Sequence, residues 1–131
     1  MPSTLIEVCI ERPAAAETAL VEAVHAALVD AFQIPEADRD IRLLVHAPHR
    51  LQGPTDRAHP ELRTIVNIDA FAGRSLDAKR KLYRGVVDRL APLGIPSDQV
   101  LTVLRELPRE NIGVRGGQPA CDVELGFKVE V

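Results

Sequence analysis

The 131-residue chain carries 16 Lys and Arg against 19 Asp and Glu, a net charge of −3 that excludes the strongly basic surface nucleic acid or an anionic membrane requires. Hydrophobic residues make up 46% but aromatic residues only 3%, so aliphatic and alanine side chains must build the core. Cys9 and Cys121 are too few for a disulfide framework, no basic and apolar leader opens the chain, and no apolar run reaches the roughly 20 residues that span a bilayer. The expectation is a single cytoplasmic domain. Arginine outnumbers lysine thirteen to three, and its planar fork holds carboxylates better than an ammonium does. Small acids are therefore plausible ligands.

In chain order, Pro2 comes directly behind Met1 and ahead of a β-branched run from Thr4 to Ile10 that reads as a strand. Removal of Met1 would leave a prolyl secondary amine, a group able to accept and release a proton. Ala16, Leu20, Val24, Leu28 and Phe32 follow at helical spacing, with Ala19, Ala23 and Ala27 widening the apolar stripe. Ile34-Pro35 breaks that helix, and Ile41 to Val45 reads as a returning strand. The stretch 47–62 is expected to be a surface loop; His46 and His49 flank Pro48 there without the acidic or cysteine neighbours a metal site needs.

The same order then recurs. Thr64 to Phe71 is a strand, Ser75 a helix N-cap, and Leu82, Tyr83, Val86, Val87 and Leu90 the core stripe. Gly94 suits a helix C-terminus, Ile95-Pro96 repeats the breaker, and Val100 to Leu104 returns as a strand. Arg12 and Arg74 are 62 residues apart, as are Leu20 and Leu82. The chain thus divides into a βαβ repeat at about 2–46, a connection at about 47–62, a second repeat at about 63–118, and a tail at about 122–131. In the tail Val123, Leu125, Phe127, Val129 and Val131 alternate with polar residues or glycine, which predicts a strand seeking a sheet edge, supplied by a neighbouring subunit.

A proline behind the initiator and two βαβ units of about sixty residues resemble the tautomerase superfamily. The second unit is similar to 4-oxalocrotonate tautomerase through Gly73-Arg74-Ser75 and Ile112-Gly113-Val114-Arg115-Gly116-Gly117. The first unit resembles the malonate semialdehyde decarboxylase branch through Phe32 to Arg39. The resemblance implies an α/β fold like that of macrophage migration inhibitory factor, with two βαβ repeats forming a four-stranded sheet backed by two helices. It also implies a homotrimer, a small carboxylate substrate, and neither metal nor organic cofactor.

For the residues, the resemblance implies that Pro2 shuttles the proton, that Arg74 binds the substrate carboxylate, and that Asp38 positions the proline. Arg39 and Arg42 are candidates for a second carboxylate, Asn111 and Ile112 for the far wall, and Arg12 for a relic of the duplication. The segment Asp69 to Gly73 lacks the second arginine that the decarboxylase and the related cis-3-chloroacrylic acid dehalogenase carry. Leu101 or Thr102 stands where 4-oxalocrotonate tautomerase has another arginine, Ile112 where it has an aromatic residue, and Asn111 where the dehalogenase has an acid. Tautomerisation of a 2-oxo or enolic acid is the expectation, since it needs the least equipment. Decarboxylation or hydration of a small oxo acid, or a non-catalytic trimer that binds acids or proteins, are the alternatives.

Overall fold

The computed structural model describes residues 1–131. Four strands, β1 (Ser3–Val8), β2 (Ile41–Val45), β3 (Thr64–Phe71) and β4 (Val100–Leu107), form one sheet in the order β2-β1-β3-β4. β1 pairs parallel with β2 and β3 parallel with β4, while β1 and β3 run antiparallel through the centre, Ser3 opposite Asp69. Each parallel pair is joined by a helix, α1 (Ala14–Phe32) or α2 (Leu76–Leu90). This is the expected pair of βαβ units.

Both helices pack on one face of the sheet. Their buried stripes, Leu20, Val24, Leu28 and Phe32 on α1 and Leu82, Val86 and Leu90 on α2, meet the buried alternate positions Ile6, Val8, Val66, Ile68 and Ala70 of the two central strands. The period of 3.6 in the helices and 2 in the strands brings these residues to one layer. Ser75 caps α2 by accepting a hydrogen bond from the Ala78 N–H at 3.1 Å, satisfying a donor that has no partner within the helix. Gly94 turns the chain after α2 with φ of 90°, where a side chain would be strained. Tyr83, expected in the core stripe, is instead 37% exposed, because the drift of a 15-residue helix leaves it beside the buried line and not on it.

The connection 47–62 is a surface segment with short 3-10 turns at Pro48–Arg50 and Pro60–Leu62. After β4, a small hairpin of β5 (Gly113–Val114) and β6 (Gln118–Pro119) appears where no strand was expected. The tail corrects the sequence reading. Its alternation is real, with Val129 fully buried, Val123, Leu125, Phe127 and Val131 half-buried, and the residues between them exposed. It joins no sheet, however. Gly126 at φ 79° interrupts the extended run, and the tail folds over its own chain, against Phe71 and Ala120, with the Ser75 N–H donating to the Val131 carbonyl at 2.8 Å. Leu125, Phe127, Val129 and Val131 find partners within the subunit.

No helix is long and apolar enough to cross a membrane. The packing generates a clear contrast on α2. Leu82→Ala, at a fully buried site, should cost about 2–5 kcal/mol in denaturant unfolding. Tyr83→Ala, on the partly exposed side, should cost under about 1 kcal/mol; equal losses would show that the stripe is wrongly placed.

Candidate active site

The antiparallel centre of the sheet brings the start of β1 beside the end of β3. A cavity of about 320 Å³ opens there, lined by Met1, Pro35, Asp38, Phe71, Val114, Arg115, Leu125 and Phe127. Five separate stretches contribute: the amino terminus, the turn after α1, the end of β3, the segment following β4, and the tail. Pro2 is buried directly behind Met1 at the head of the strand. With Met1 attached, its nitrogen is an amide, and the free amine belongs to Met1.

That amine donates to the Asp38 carboxylate at 3.0 Å, the two groups being 11% and 26% exposed. An ion pair so sheltered from water is weakened little by salt. Asp38 reaches the terminus because Gln33 ends α1 in the left-handed conformation, φ 54°, and turns the chain back across the end of the sheet.

Arg74 precedes the Ser75 cap and is 5% exposed. Its Nη1 donates to the Phe71 carbonyl at 3.0 Å, and its guanidinium lies 4.6 Å from the Phe32 ring centroid. Nε and Nη2 have no partner although both are buried. Burial depresses the pKa of this guanidinium; Glu106, Glu130 and Asp38 oppose that effect, and Arg109 adds to it. A buried cation with unsatisfied donors is costly, and an anion bound across Nε and Nη2 would satisfy them bidentately. Gly73 leaves room beside it, with φ 133° and a would-be Cβ only 3.2 Å from Val129. The tail therefore fits over this turn because the residue is glycine.

Arg74 itself is not among the residues that line the cavity, and the other candidates lie elsewhere. Arg39 is forked onto Glu22 of α1 at 2.7 and 2.9 Å and sits beside a different hollow, together with Glu36 and Arg89. Arg42 is on the exposed side of edge strand β2, donating to Ser3 Oγ at 3.0 Å. Neither lines the cavity. Asn111 is exposed at the end of a short turn, and the half-buried Ile112 packs behind the cavity wall against the Phe71 cluster. Arg12 donates to the Ile10 carbonyl at 3.1 Å on the opposite end of β1. His46 pairs with Glu7 at 2.9 Å on the helix-free face.

Several lining residues were not singled out from sequence. Arg115 stands at φ 45° with Nη1 donating to the Glu124 carbonyl at 2.7 Å. It is the one arginine lining the cavity. Its place in the Gly113 to Gly117 run was visible, but its direction depends on the hairpin. Phe71, Leu125 and Phe127 supply an apolar wall, and only the folding of the tail reveals the last two.

No curated protein matches this sequence. Among solved structures, one of FG41 malonate semialdehyde decarboxylase inhibited by 3-bromopropiolate superimposes with a TM-score of 0.81 at 24% identity, covering 89% of this chain and 92% of that one. Native fused 4-OT gives 0.82 at 19% identity over 92% and 98%. A fused 4-OT solved as a symmetric trimer gives 0.69 at 26% identity over 90% and 95%. A family model described as tautomerase enzyme matches residues 38–115, from the Asp38 turn to Arg115. With more than half its length matched in this way, the chain belongs to the tautomerase family.

Proposed function

We propose that the protein is a cofactor-independent tautomerase of small 2-oxo or enolic carboxylic acids, acting through the amine of Pro2 once Met1 is removed. The observation that carries this reading is the buried Arg74 guanidinium with two unpartnered nitrogens, near an amino terminus held against Asp38. In the proposed cycle Arg74 takes the substrate carboxylate. The prolyl nitrogen accepts a proton from the enol oxygen or the acidic carbon, and the prolyl ammonium returns a proton to the other position. Charge developing on the dienolate is drawn toward Arg74, where it is stabilised more than in water. Arg115, at the cavity wall, is suited to a second polar group at the far end of the substrate. Phe71, Leu125 and Phe127 keep water from the intermediate.

Asp38 favours a second reading. A carboxylate on the amine stabilises its protonated form, which suits an acid that assists loss of CO₂ or addition of water to a three-carbon oxo acid. The two readings differ in the required state of Pro2, base or acid. The missing second arginine between Asp69 and Gly73 tips the balance toward proton transfer.

Assembly as a homotrimer is part of the proposal. It is supported by the trimeric fused 4-OT structures that share this fold and by the helix-free side of the sheet, where Leu44 and Leu101 are 46% and 42% exposed. Sedimentation equilibrium should return about three times the 14.3 kDa chain mass; a monodisperse monomer at micromolar concentration contradicts it.

The proline mechanism predicts that protein retaining Met1 folds normally but is inactive, because a tertiary amide has no basic lone pair. Processed protein should gain activity as pH rises through the pKa of the prolyl amine, since only its neutral form accepts a proton. Mass spectrometry of the amino terminus beside rates for each form gives the comparison. Equal rates with and without Met1 would rule out the proline, and a rate that falls as pH rises would favour the decarboxylase or hydratase reading.

Arg74→Ala should lower kcat/KM for phenylenolpyruvate by about a hundredfold or more, in line with the roughly 2–5 kcal/mol that loss of one partner from a desolvated charge pair costs. Arg115→Ala should act mainly on KM, and more on 2-hydroxymuconate than on a monocarboxylate. A several-fold effect or less for Arg74→Ala would reduce it to a structural arginine. Faster turnover of malonate semialdehyde than of either enol would make the second reading the correct one.

A further inference from the structure

A cavity of about 420 Å³, larger than the one at the amino terminus, lies at the other end of the central strands, under the 47–62 connection. Its lining repeats that of the first at the interval of the duplication. Cys9, Gln52 and Gly53 line it, and 62 residues further on stand Phe71, Val114 and Arg115, which line the amino-terminal cavity. The register explains the match. The start of β1 meets the end of β3, and by the same antiparallel pairing the start of β3 meets the end of β1.

At this second place the residue corresponding to Met1 is Arg63, 62 positions later and directly ahead of β3. Arg63 is 7% exposed and its Nη1 is buried without a partner. Its stem runs against Gly53 on the cavity wall, so closely that a Cβ there would come within 2.7 Å of Cδ. Arg57 lines the cavity as well, held by a hydrogen bond to the Asp98 carbonyl at 3.1 Å. Of these two cations only Arg57 lines the cavity itself, Arg63 lying behind Gly53; the lining also carries the apolar surfaces of Leu51 and Pro54 and one carboxylate, Glu61, 3.5 Å from His59.

We propose that this cavity is a second, non-catalytic site for a small monocarboxylate with an apolar body. The carboxylate lies toward Arg57 and Arg63, and the body rests on Leu51 and Pro54. Glu61 disfavours a second negative charge on the ligand. The site is assigned to binding alone because it holds no amine, and a guanidinium stays protonated at any working pH.

The test is a titration of the full-length chain with butanoate, followed by amide ¹⁵N–¹H spectra, in an Arg74→Ala background that weakens the first site. Saturable shifts are expected at Cys9, Leu51 and Gly53. Adding Arg57→Ala should weaken that affinity about tenfold or more, the usual size for a hydrogen bond to a charged group. Arg63→Met, provided its spectrum shows a folded chain, should do the same. With Arg74 intact, Arg57→Ala should leave turnover at the amino-terminal site unchanged, so the titration stands whether or not that site is a tautomerase. Absence of saturable shifts at those amides, shifts confined to the surroundings of Met1 and Phe71, or undiminished affinity in Arg57→Ala would overturn the proposal.

Discussion

The antiparallel pairing of β1 with β3 is the constraint on which the rest of the molecule depends. Each βαβ unit alone has a sheet of two parallel strands and one helix, too little to bury its own apolar face. Joining two units through their first strands makes a four-stranded sheet whose single covered face takes both helices. The same pairing sets the start of each unit beside the strand end of the other, with Ser3 across from Asp69. A terminal amine, a turn carboxylate from the first unit and an arginine from the second are thereby brought to one end of the sheet. None of these groups is close in sequence to the others.

Electrostatics then divides the two ends. At the first, Asp38 holds the amine while Arg74, desolvated and half-satisfied, keeps donors in reserve. At the second, Arg63 and Arg57 offer charge without exchangeable basicity. The antiparallel pairing sets a hollow at each end of the central strands, and only the first faces a terminal amine. The tail reinforces the difference, since Leu125 and Phe127 close the first hollow and have no counterpart at the other.

Much of the architecture was legible in the residues, because burial imposes periodicity that survives without context. The boundaries Ile41–Val45 and Thr64–Phe71 follow from β-branched runs between breakers, and Ser75 announces a cap by its chemistry. The tail shows the limit of such reading. Alternation reports which side faces inward, not whether a ladder partner exists, and Gly126 at φ 79° settled the matter locally. Arg39 looked free because its partner Glu22 lies 17 residues back on α1, a contact fixed by how the turn folds onto the helix. Arg115 was quoted within a motif yet its part in the cavity depends on β5 and β6, strands of two residues each that carry no periodic signal.

In the proposed mechanism Pro2 presents a proton-accepting nitrogen whose affinity is set by Arg74 and Asp38. The most direct measurement is a pH titration of the prolyl nitrogen itself, by NMR of ¹⁵N-proline-labelled protein lacking Met1. One titration of that nitrogen is expected, shifted to higher pH by Arg74→Ala, which removes a cation, and to lower pH by Asp38→Asn, which removes the carboxylate. A titration unmoved by either substitution would contradict it, because the nitrogen would then be an ordinary exposed terminus and not the centre of this site.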